Sequence, residues 1–185
     1  AYDYDVPVYI STIKDSSLAL NLAVHRLHDK VYSLDFVKEI IEQASILYNS
    51  KKSGIVELGG GVPKNTAQQT GPLLDQILQR NDGGQDYVIQ ITDARPDTGG
   101  LSGATLQEGK SWGKVQDAHH DMITVYADAT IAFPILALYV LSNQKPREPK
   151  RLYKKLGKYY EKLQADYLKT PNIDRKQKAK KNKKN

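Results

Sequence analysis

The chain lacks cysteine and any long apolar run, and each absence excludes a class of protein. With no cysteine in 185 residues, it can form neither a disulfide nor a thiolate metal site. Its longest apolar run covers residues 131–141, which is too short to span a bilayer. Residues 1–5 are acidic and lack the pattern of a secretory signal. The sequence therefore predicts a globular protein with no membrane span.

The patterns typical of a zinc site or a serine hydrolase are missing as well. His25 and His28 lie three residues apart in a predicted helix, while His119 and His120 are neighbours in a predicted loop. Neither pair has a third ligand at a suitable spacing. No G-x-S-x-G turn follows a predicted strand. The sequence thus predicts no metal site and no serine hydrolase.

Positive charge is concentrated near the C-terminus. Residues 145–185 carry 16 Lys/Arg and four Asp/Glu, whereas residues 1–144 carry 11 Lys/Arg and 17 Asp/Glu. An acidic body suits cationic ligands such as polyamines, or it serves solubility alone, and it gives no reason to expect a nucleic-acid partner. We predict a basic amphipathic helical extension over residues 145–174 and a disordered Lys-rich tail over residues 175–185.

Apolar runs that alternate with helical patterns predict an α/β fold in residues 1–144. Runs typical of buried strands occupy residues 6–11, 53–58, 86–92 and 123–127. Helical patterns cover residues 18–27, 34–47, 63–78 and 131–141, and an irregular loop is predicted over residues 93–111. Strands that are apolar throughout and alternate with helices are typical of a Rossmann-like parallel sheet with helices on both faces.

Polar residues and glycines follow the predicted strands, where parallel sheets bind their ligands. Three glycines at residues 59–61 separate a strand from a helix. They either let phosphates approach backbone amides or simply form a tight turn. Asp15 and Asp128 also come after predicted strands, and each either binds a ribose or a cation or caps the helix that follows. The segment 93–100 completes this predicted edge.

Lys114 is the candidate nucleophile. It lies near Trp112 in the segment G-K-S-W-G-K-V, residues 109–115. A lysine amine forms a Schiff base only when it is neutral, and an apolar neighbour favours the neutral form. A lysine beside an aromatic residue is otherwise a solvated surface group. The segment alone therefore leaves both interpretations open.

Several ordered motifs together resemble the deoxyhypusine synthase family. They are L-G-G-G-V-P-K at 58–64, S-G-A at 102–104, Glu108, S-W-G-K at 111–114 and V-Y-A-D-A at 125–129, with Ala1-Tyr2, Pro7-Val8 and D-S-S-L at 15–18. The resemblance covers about residues 1–142. It implies a cytoplasmic, NAD-dependent enzyme that oxidises spermidine and holds its butylamine group as an imine on a lysine. The group then passes to a lysine of the hypusine-bearing translation factor precursor, and the same NADH reduces the product.

The resemblance also implies roles for single residues. Lys114 matches the imine-forming lysine, Trp112 the aromatic wall along the polyamine, and Glu108 the acid that holds a terminal ammonium. Asn65 and Leu101 occupy further substrate positions. The residues expected to line NAD are Asp15, Gly59, Gly60, Asp93, Ala94, Asp97, Asp128 and Ala129.

Departures from the eukaryotic pattern leave the acceptor open. Leu20 and Leu101 stand where that form has polyamine-binding aspartates, and Asn65 stands where it has a catalytic histidine. These changes resemble a divergent, often bacterial branch of the family. One alternative is a homospermidine synthase-type transferase with putrescine as the acceptor. The other is a catalytically silent regulatory subunit, against which the intact Lys114 argues.

The resemblance begins in the middle of the family sequence. We therefore expect a separate N-terminal chain to complete the enzyme, and such pairs to form a homo-oligomer of tetramer-like form. The chain alone is expected to expose sheet edges and apolar faces that the other chain covers.

Overall fold

A computed structural model describes residues 1–80, 84–116 and 121–169 of the chain. Its strands are β1 (Gly54–Leu58), β2 (Tyr87–Thr92) and β3 (Met122–Tyr126). Its helices are α1 (Ser17–Leu27), α2 (Phe36–Tyr48), α3 (Gly61–Gln68), α4 (Thr70–Pro72), α5 (Leu106–Ser111), α6 (Ala129–Asn143) and α7 (Leu156–Lys169). A π-helical turn, Leu73–Ile77, continues α4. Short 3-10 turns lie at Tyr2–Tyr4, Ile13–Asp15, Pro96–Thr98, Leu101–Gly103 and Tyr153–Lys155.

The three strands form a parallel sheet in the order β1-β2-β3. Val88 of β2 pairs with Ile55 of β1 and with Met122 of β3, so the carboxyl ends of all three strands meet at one edge. The predicted Rossmann-like α/β fold is confirmed. The three strands predicted after residue 50 and the four predicted helices are present, although the helix predicted over residues 63–78 starts at Gly61 and is interrupted after Gln68.

The predicted strand over residues 6–11 is wrong. In the described part of the chain this segment forms no strand; Val6 and Val8 are exposed, and the segment is preceded by Asp5, which accepts a hydrogen bond from the backbone of Tyr153. Pro7 has no backbone N–H to donate to a neighbouring strand. An apolar run forms a strand only where such a neighbour is available. Asp15 therefore ends a 3-10 turn rather than following a strand.

The predicted irregular loop over residues 93–111 also needs correction. It contains two 3-10 turns and ends in α5, which a capping box between Thr105 and Glu108 starts. The sequence carries the corresponding T-x-x-E signature at residues 105–108, and this signature typically marks a helix start.

Both crossover connections pack on the same face of the sheet. Gln68 of α3 donates a hydrogen bond to Glu57 of β1, and Gln90 of β2 donates to the carbonyl oxygens of Ser102 and Ala104. Right-handed crossovers that step in one direction along a sheet must share a face. The strand order therefore brings α3 and α5 together.

The opposite face of the sheet is largely open at its two outer strands. Val56 and Leu58 of β1 and Ile123 and Val125 of β3 point to this face, and they are 36–56% exposed. Helix α6 contacts β2, yet it is apolar on all sides and contains no buried residue. The two faces are thus covered unequally, and the apolar exposure expected from the sequence is confirmed for the described residues.

Of the basic helical extension predicted over residues 145–174, the structure shows α7 from Leu156 to Lys169; residues 145–152 form no helix, and residues 170–174 lie outside the described residues. Leu163 of α7 packs against Ala44 of α2 and Leu74 of the π-helical turn. A second cluster joins Val88, Leu106 and Val115 beneath the site described below. The predicted tail, residues 175–185, lies outside the described residues. Within the ranges that the structure describes, none of the helices combines the length and the apolar character needed to cross a membrane.

Candidate active site

The turn after β1 is shaped by glycine. Gly59 and Gly60 both have φ near +56°, a left-handed conformation that glycine adopts without strain. Helix α3 begins at Gly61, and no side chain caps its start. Because the connection is this short, α3 starts directly at the carboxyl edge of the sheet. Backbone N–H groups at its first turn are therefore presented there.

Close packing between α3 and the turn at Leu101–Gly103 forms one wall of a cavity. A methyl group on Gly61 would lie 2.6 Å from the Cβ atom of Leu101 and 2.8 Å from the nitrogen of Ser102. Lys64 Nζ secures the same contact by donating to the carbonyl oxygens of Ala104 (2.6 Å) and Leu101 (3.5 Å).

The cavity has a volume of about 190 Å³ and is lined by all four residues predicted to bind substrate. Its lining consists of Lys64, Asn65, Gln68, Leu101, Ala104, Thr105, Glu108, Gly109, Trp112 and Lys114. Lys114 Nζ donates a 2.5 Å hydrogen bond to Asn65 Oδ1. The structure thus brings together the predicted nucleophile Lys114 and the predicted substrate residues Asn65, Leu101, Glu108 and Trp112.

Backbone geometry fixes the position of Lys114. The turn after α5 passes through Gly113 at φ +71°, and Lys114 N then donates to the carbonyl oxygen of Gly109 at 2.9 Å. The carbonyl oxygen of Lys114 accepts from Gln85 N at 3.0 Å. Both the N–H group and the carbonyl group of Lys114 are therefore hydrogen-bonded, which fixes its backbone. Its side chain is half-buried and extends toward α3.

Glu108 and Trp112 are more exposed than their predicted roles suggest. Glu108 Oε2 accepts a 2.8 Å hydrogen bond from Thr105 N, so the carboxylate also caps α5. Trp112 is 63% exposed. In this chain alone, Trp112 lines the cavity of Lys114 without sealing it from water.

A buried layer of polar side chains lies between the cavity and the sheet. Glu57 of β1 is 4% exposed, and Lys64 and Gln68 of α3 are 7% and 3% exposed. Lys64 and Gln68 are four positions apart, so they share the helix face toward the sheet. Gln68 Nε2 donates to Glu57 Oε1. Neither Glu57 nor Gln68 belongs to a motif predicted from the sequence, although Glu57 is the only charged residue in β1.

Burial dominates the electrostatics of this layer. It raises the pKa of Glu57 to about 7, against the opposing effects of the Lys64 charge, the Gln68 hydrogen bond and the Lys114 charge. Burial also lowers the pKa of Lys64; Glu57 and Glu108 oppose that change and Lys114 adds to it. The charges of the layer are thus coupled to one another.

A second cavity, of about 790 Å³, lies at the carboxyl edge of the sheet. Asp93, Arg95, Pro96, Asp97 and Tyr126 line it. Asp93 and Asp97, both predicted to line NAD, are therefore neighbours here, and Asp97 forms a 3.3 Å ion pair with Arg95. Ala94 N, in the same segment, donates to the hydroxyl of Thr92.

The other residues predicted to line NAD do not all lie at the carboxyl edge of the sheet. Asp128 caps α6, because its carboxylate accepts hydrogen bonds from the hydroxyl and the backbone N–H of Thr130, which also hold its pKa below the usual range. Ala129 is the first residue of that helix. Asp15 lies before α1 and follows no strand. The reason for predicting it at the same sheet edge as the other strand ends is therefore wrong. His119 and His120 lie outside the described residues.

Comparison with known proteins gives one consistent result. Residues 1–140 match the family model described as deoxyhypusine synthase. A Nostoc sp. protein described as "Deoxyhypusine synthase-like protein" is 46% identical, and the match covers 91% of this chain and 45% of that relative. The protein of the same description from Thermosynechococcus vestitus is 44% identical, over 91% of this chain and 44% of its own length. "Probable deoxyhypusine synthase 2" of Methanosarcina acetivorans is 39% identical, over 82% and 43%. The chain spans less than half the length of these curated relatives.

We expect the free energy of unfolding of the full chain to fall between pH 4.5 and about 7 because of Glu57. Its pKa is about 7 in the fold against an ordinary value of 4.5, so the folded state binds the proton more tightly. The resulting stabilisation is complete below the ordinary value and is lost as the pH rises through about 7. At 1.36 kcal/mol per pKa unit it amounts to about 3 kcal/mol.

Chemical denaturation of Glu57→Gln at about pH 5 and about pH 8 measures this contribution. Gln keeps the shape of the side chain and the acceptor for Gln68, so this variant should lose that part of the pH dependence. The control Glu42→Gln, on α2, should keep it. The same pH dependence in Glu57→Gln as in the unaltered chain would contradict the assignment.

Proposed function

The chain belongs to the deoxyhypusine synthase family, and on that premise we propose that it supplies the reactive lysine of an NAD-dependent aminobutyl transferase. The proposed reaction moves the butylamine group of spermidine to a lysine of the hypusine-bearing translation factor precursor. The observation that carries this proposal is the hydrogen bond of Lys114 to Asn65 inside a cavity that Glu108 and Trp112 also line.

Lys114 is the proposed nucleophile. Its neutral amine adds to the imine carbon of oxidised spermidine, and the diamine portion leaves as the new carbon–nitrogen bond forms. The acceptor lysine then replaces Lys114 at the same carbon, which regenerates the free Lys114 amine. The Asn65 amide oxygen accepts a hydrogen bond from Lys114 at 2.5 Å and so keeps the amine directed into the cavity between these exchanges.

Glu108 and Trp112 suit a polyamine chemically. The carboxylate of Glu108 is oriented by the backbone N–H of Thr105 and would attract a terminal ammonium of the substrate. The indole of Trp112 offers an apolar surface to the alkyl chain and an electron-rich face to a cation. Because Trp112 is 63% exposed in this chain, the bound polyamine or another polypeptide would have to complete its cover.

The carboxyl edge of the sheet fits NAD. A methyl group on Gly59 would meet no atom within 4 Å, so the turn leaves open space beside the uncapped start of α3, where phosphate oxygens can accept from backbone N–H groups. The cavity lined by Asp93 and Asp97 offers carboxylates that can accept from ribose hydroxyls. NAD bound there would accept a hydride from the polyamine and return it to the product imine.

We predict that Lys114→Arg abolishes transfer, because an arginine keeps the positive charge but does not deprotonate to attack. Lys110→Arg, a change at a neighbouring lysine on α5, should retain most of the activity. The assay supplies the complete enzyme with NAD, labelled spermidine and the precursor protein, and it counts label in that protein. Full transfer by Lys114→Arg would contradict the proposed role.

Running this assay once with the precursor and once with putrescine in its place distinguishes the acceptor. Label transferred to the precursor but not to putrescine supports the proposed reaction. Label only in homospermidine would overturn the protein acceptor, while the dependence on Lys114 would remain as predicted.

We also propose that a separate N-terminal chain covers the open face of the sheet and that such pairs form a homo-oligomer. Apolar residues of β1 and β3 are exposed, and the apolar helix α6 has no buried residue. Exposed apolar surface of this kind often marks a site where another protein binds. The chain spans 45% of its Nostoc relative, which leaves enough of the relative's length to supply such a cover.

The expected result is that a second polypeptide co-purifies with the natural protein in a fixed ratio, as seen by native mass spectrometry. Ile123→Lys places a charge on the open face and should weaken this pairing by at least tenfold. Leu168→Lys, at a similarly exposed position of α7, should leave it unchanged. Full transfer activity from this chain with no second polypeptide would contradict the proposed pairing.

A further inference from the structure

Glu57 is a buried carboxyl group that the proposed reaction leaves without a role. One of its oxygens accepts from Gln68. The other, Oε2, is fully buried and has no hydrogen-bond partner among the residues that the structure describes. Leaving a buried polar atom unpaired costs free energy, and the neighbouring residues of β1 are apolar. A hydrophobic side chain would fit this position at a lower cost.

Contacts link Glu57 to the Lys114 cavity. Gln68 donates to Glu57 through its nitrogen, while its oxygen faces Gly109 from the other side. A methyl group on Gly109 would lie 4.0 Å from Gln68 Oε1 and 3.9 Å from Lys114 Cβ. Gln68 therefore bridges the space between the carboxyl group on β1 and the segment that carries Lys114.

Two cations and one further acid act electrostatically on this layer. The charges of Lys64 and Lys114 lower the pKa of Glu57, and the charge of Glu108 raises that of Lys64. Lys64 is 7% exposed, and its hydrogen bonds go to neutral carbonyl oxygens. Glu57 is thus the buried group whose negative charge can compensate the two ammonium groups.

The charge of Lys114 changes during the reaction proposed above, because the amine must be neutral to attack. In a poorly solvated layer, the loss of one positive charge alters the interaction energy of every remaining charge. Two groups coupled in this way titrate together, so the protonation of one depends on that of the other.

We propose that Glu57 is a positioning residue for Lys114, whose carboxyl group binds a proton from solvent more tightly when the Lys114 amine is neutral than when it is charged. Part of the change in buried charge at Lys114 is then offset at Glu57. This inference rests on the proposed role of Lys114 as the nucleophile. The pKa of Glu57, raised by burial to about 7, places its proton exchange in the neutral range.

Competitive acetylation of the full chain at about pH 8, read by peptide mass spectrometry at Lys114 and Lys110, tests the coupling without turnover. In Glu57→Gln the acetylation rate of Lys114 relative to Lys110 should rise about three- to tenfold, because the ammonium form loses a compensating negative charge. Glu42→Gln should leave this ratio unchanged. A purely structural Glu57 would alter stability and leave the ratio in place, and that result would overturn the proposal.

A reciprocal measurement covers the case in which Glu57→Gln fails to fold. Carbon NMR of the glutamate-labelled chain follows the titration of the Glu57 carboxyl group. Because the Lys114 charge lowers the pKa of Glu57, Lys114→Ala should raise the Glu57 midpoint by about half a unit to one unit, whereas Lys110→Ala should not. An unmoved midpoint in Lys114→Ala would overturn the proposal. Neither the acetylation nor the NMR measurement needs transfer activity. A failure of the proposed function would appear only in the transfer assay, and a failure of the coupling only in these two measurements.

Discussion

The packing of α3 against the segment that follows β2 is the contact on which the rest of the candidate site depends. Gly61 permits this approach, and the hydrogen bonds of Lys64 to the carbonyl oxygens of Leu101 and Ala104 secure it. Once α3 is fixed there, Asn65 faces Lys114 and Gln68 faces Glu57. A single helix thus joins the amine of Lys114, the proposed nucleophile, to a buried carboxyl group, and the strand order requires the two crossovers to meet on one face.

That arrangement also explains why the other face of the sheet remains open. With both crossovers on one side, α3 and α5 leave the apolar residues of β1 and β3 on the opposite side exposed. The incomplete cover of Trp112 suggests the same requirement at the cavity. A second polypeptide would then serve two purposes, since it would remove apolar surface from water and exclude water from the polyamine.

The sequence predicted the features that depend on local pattern or on a motif. The strands that became β1, β2 and β3 are short apolar runs followed by turn residues, and the motif around Trp112 predicted a nucleophile at Lys114, which the structure places in a cavity. Residues 6–11 have the same apolar character but lack a neighbouring strand, which no local pattern reveals. The contact between Glu57 and Gln68 depends on the register of α3 against the sheet; a charged residue within an apolar strand was its only signal. Asp128 behaves as the helix cap that its position equally allowed.

The central claim is that Lys114 carries the butylamine group as an imine. Borohydride reduction of the complete enzyme, after incubation with NAD and labelled spermidine, converts such an imine into a stable amine that peptide mass spectrometry can locate. The expected result is one aminobutyl group on Lys114 and none when NAD is omitted. Lys64 is the informative comparison, because it is a second amine on the wall of the same cavity. An adduct on Lys64, or at any site other than Lys114, would contradict the account.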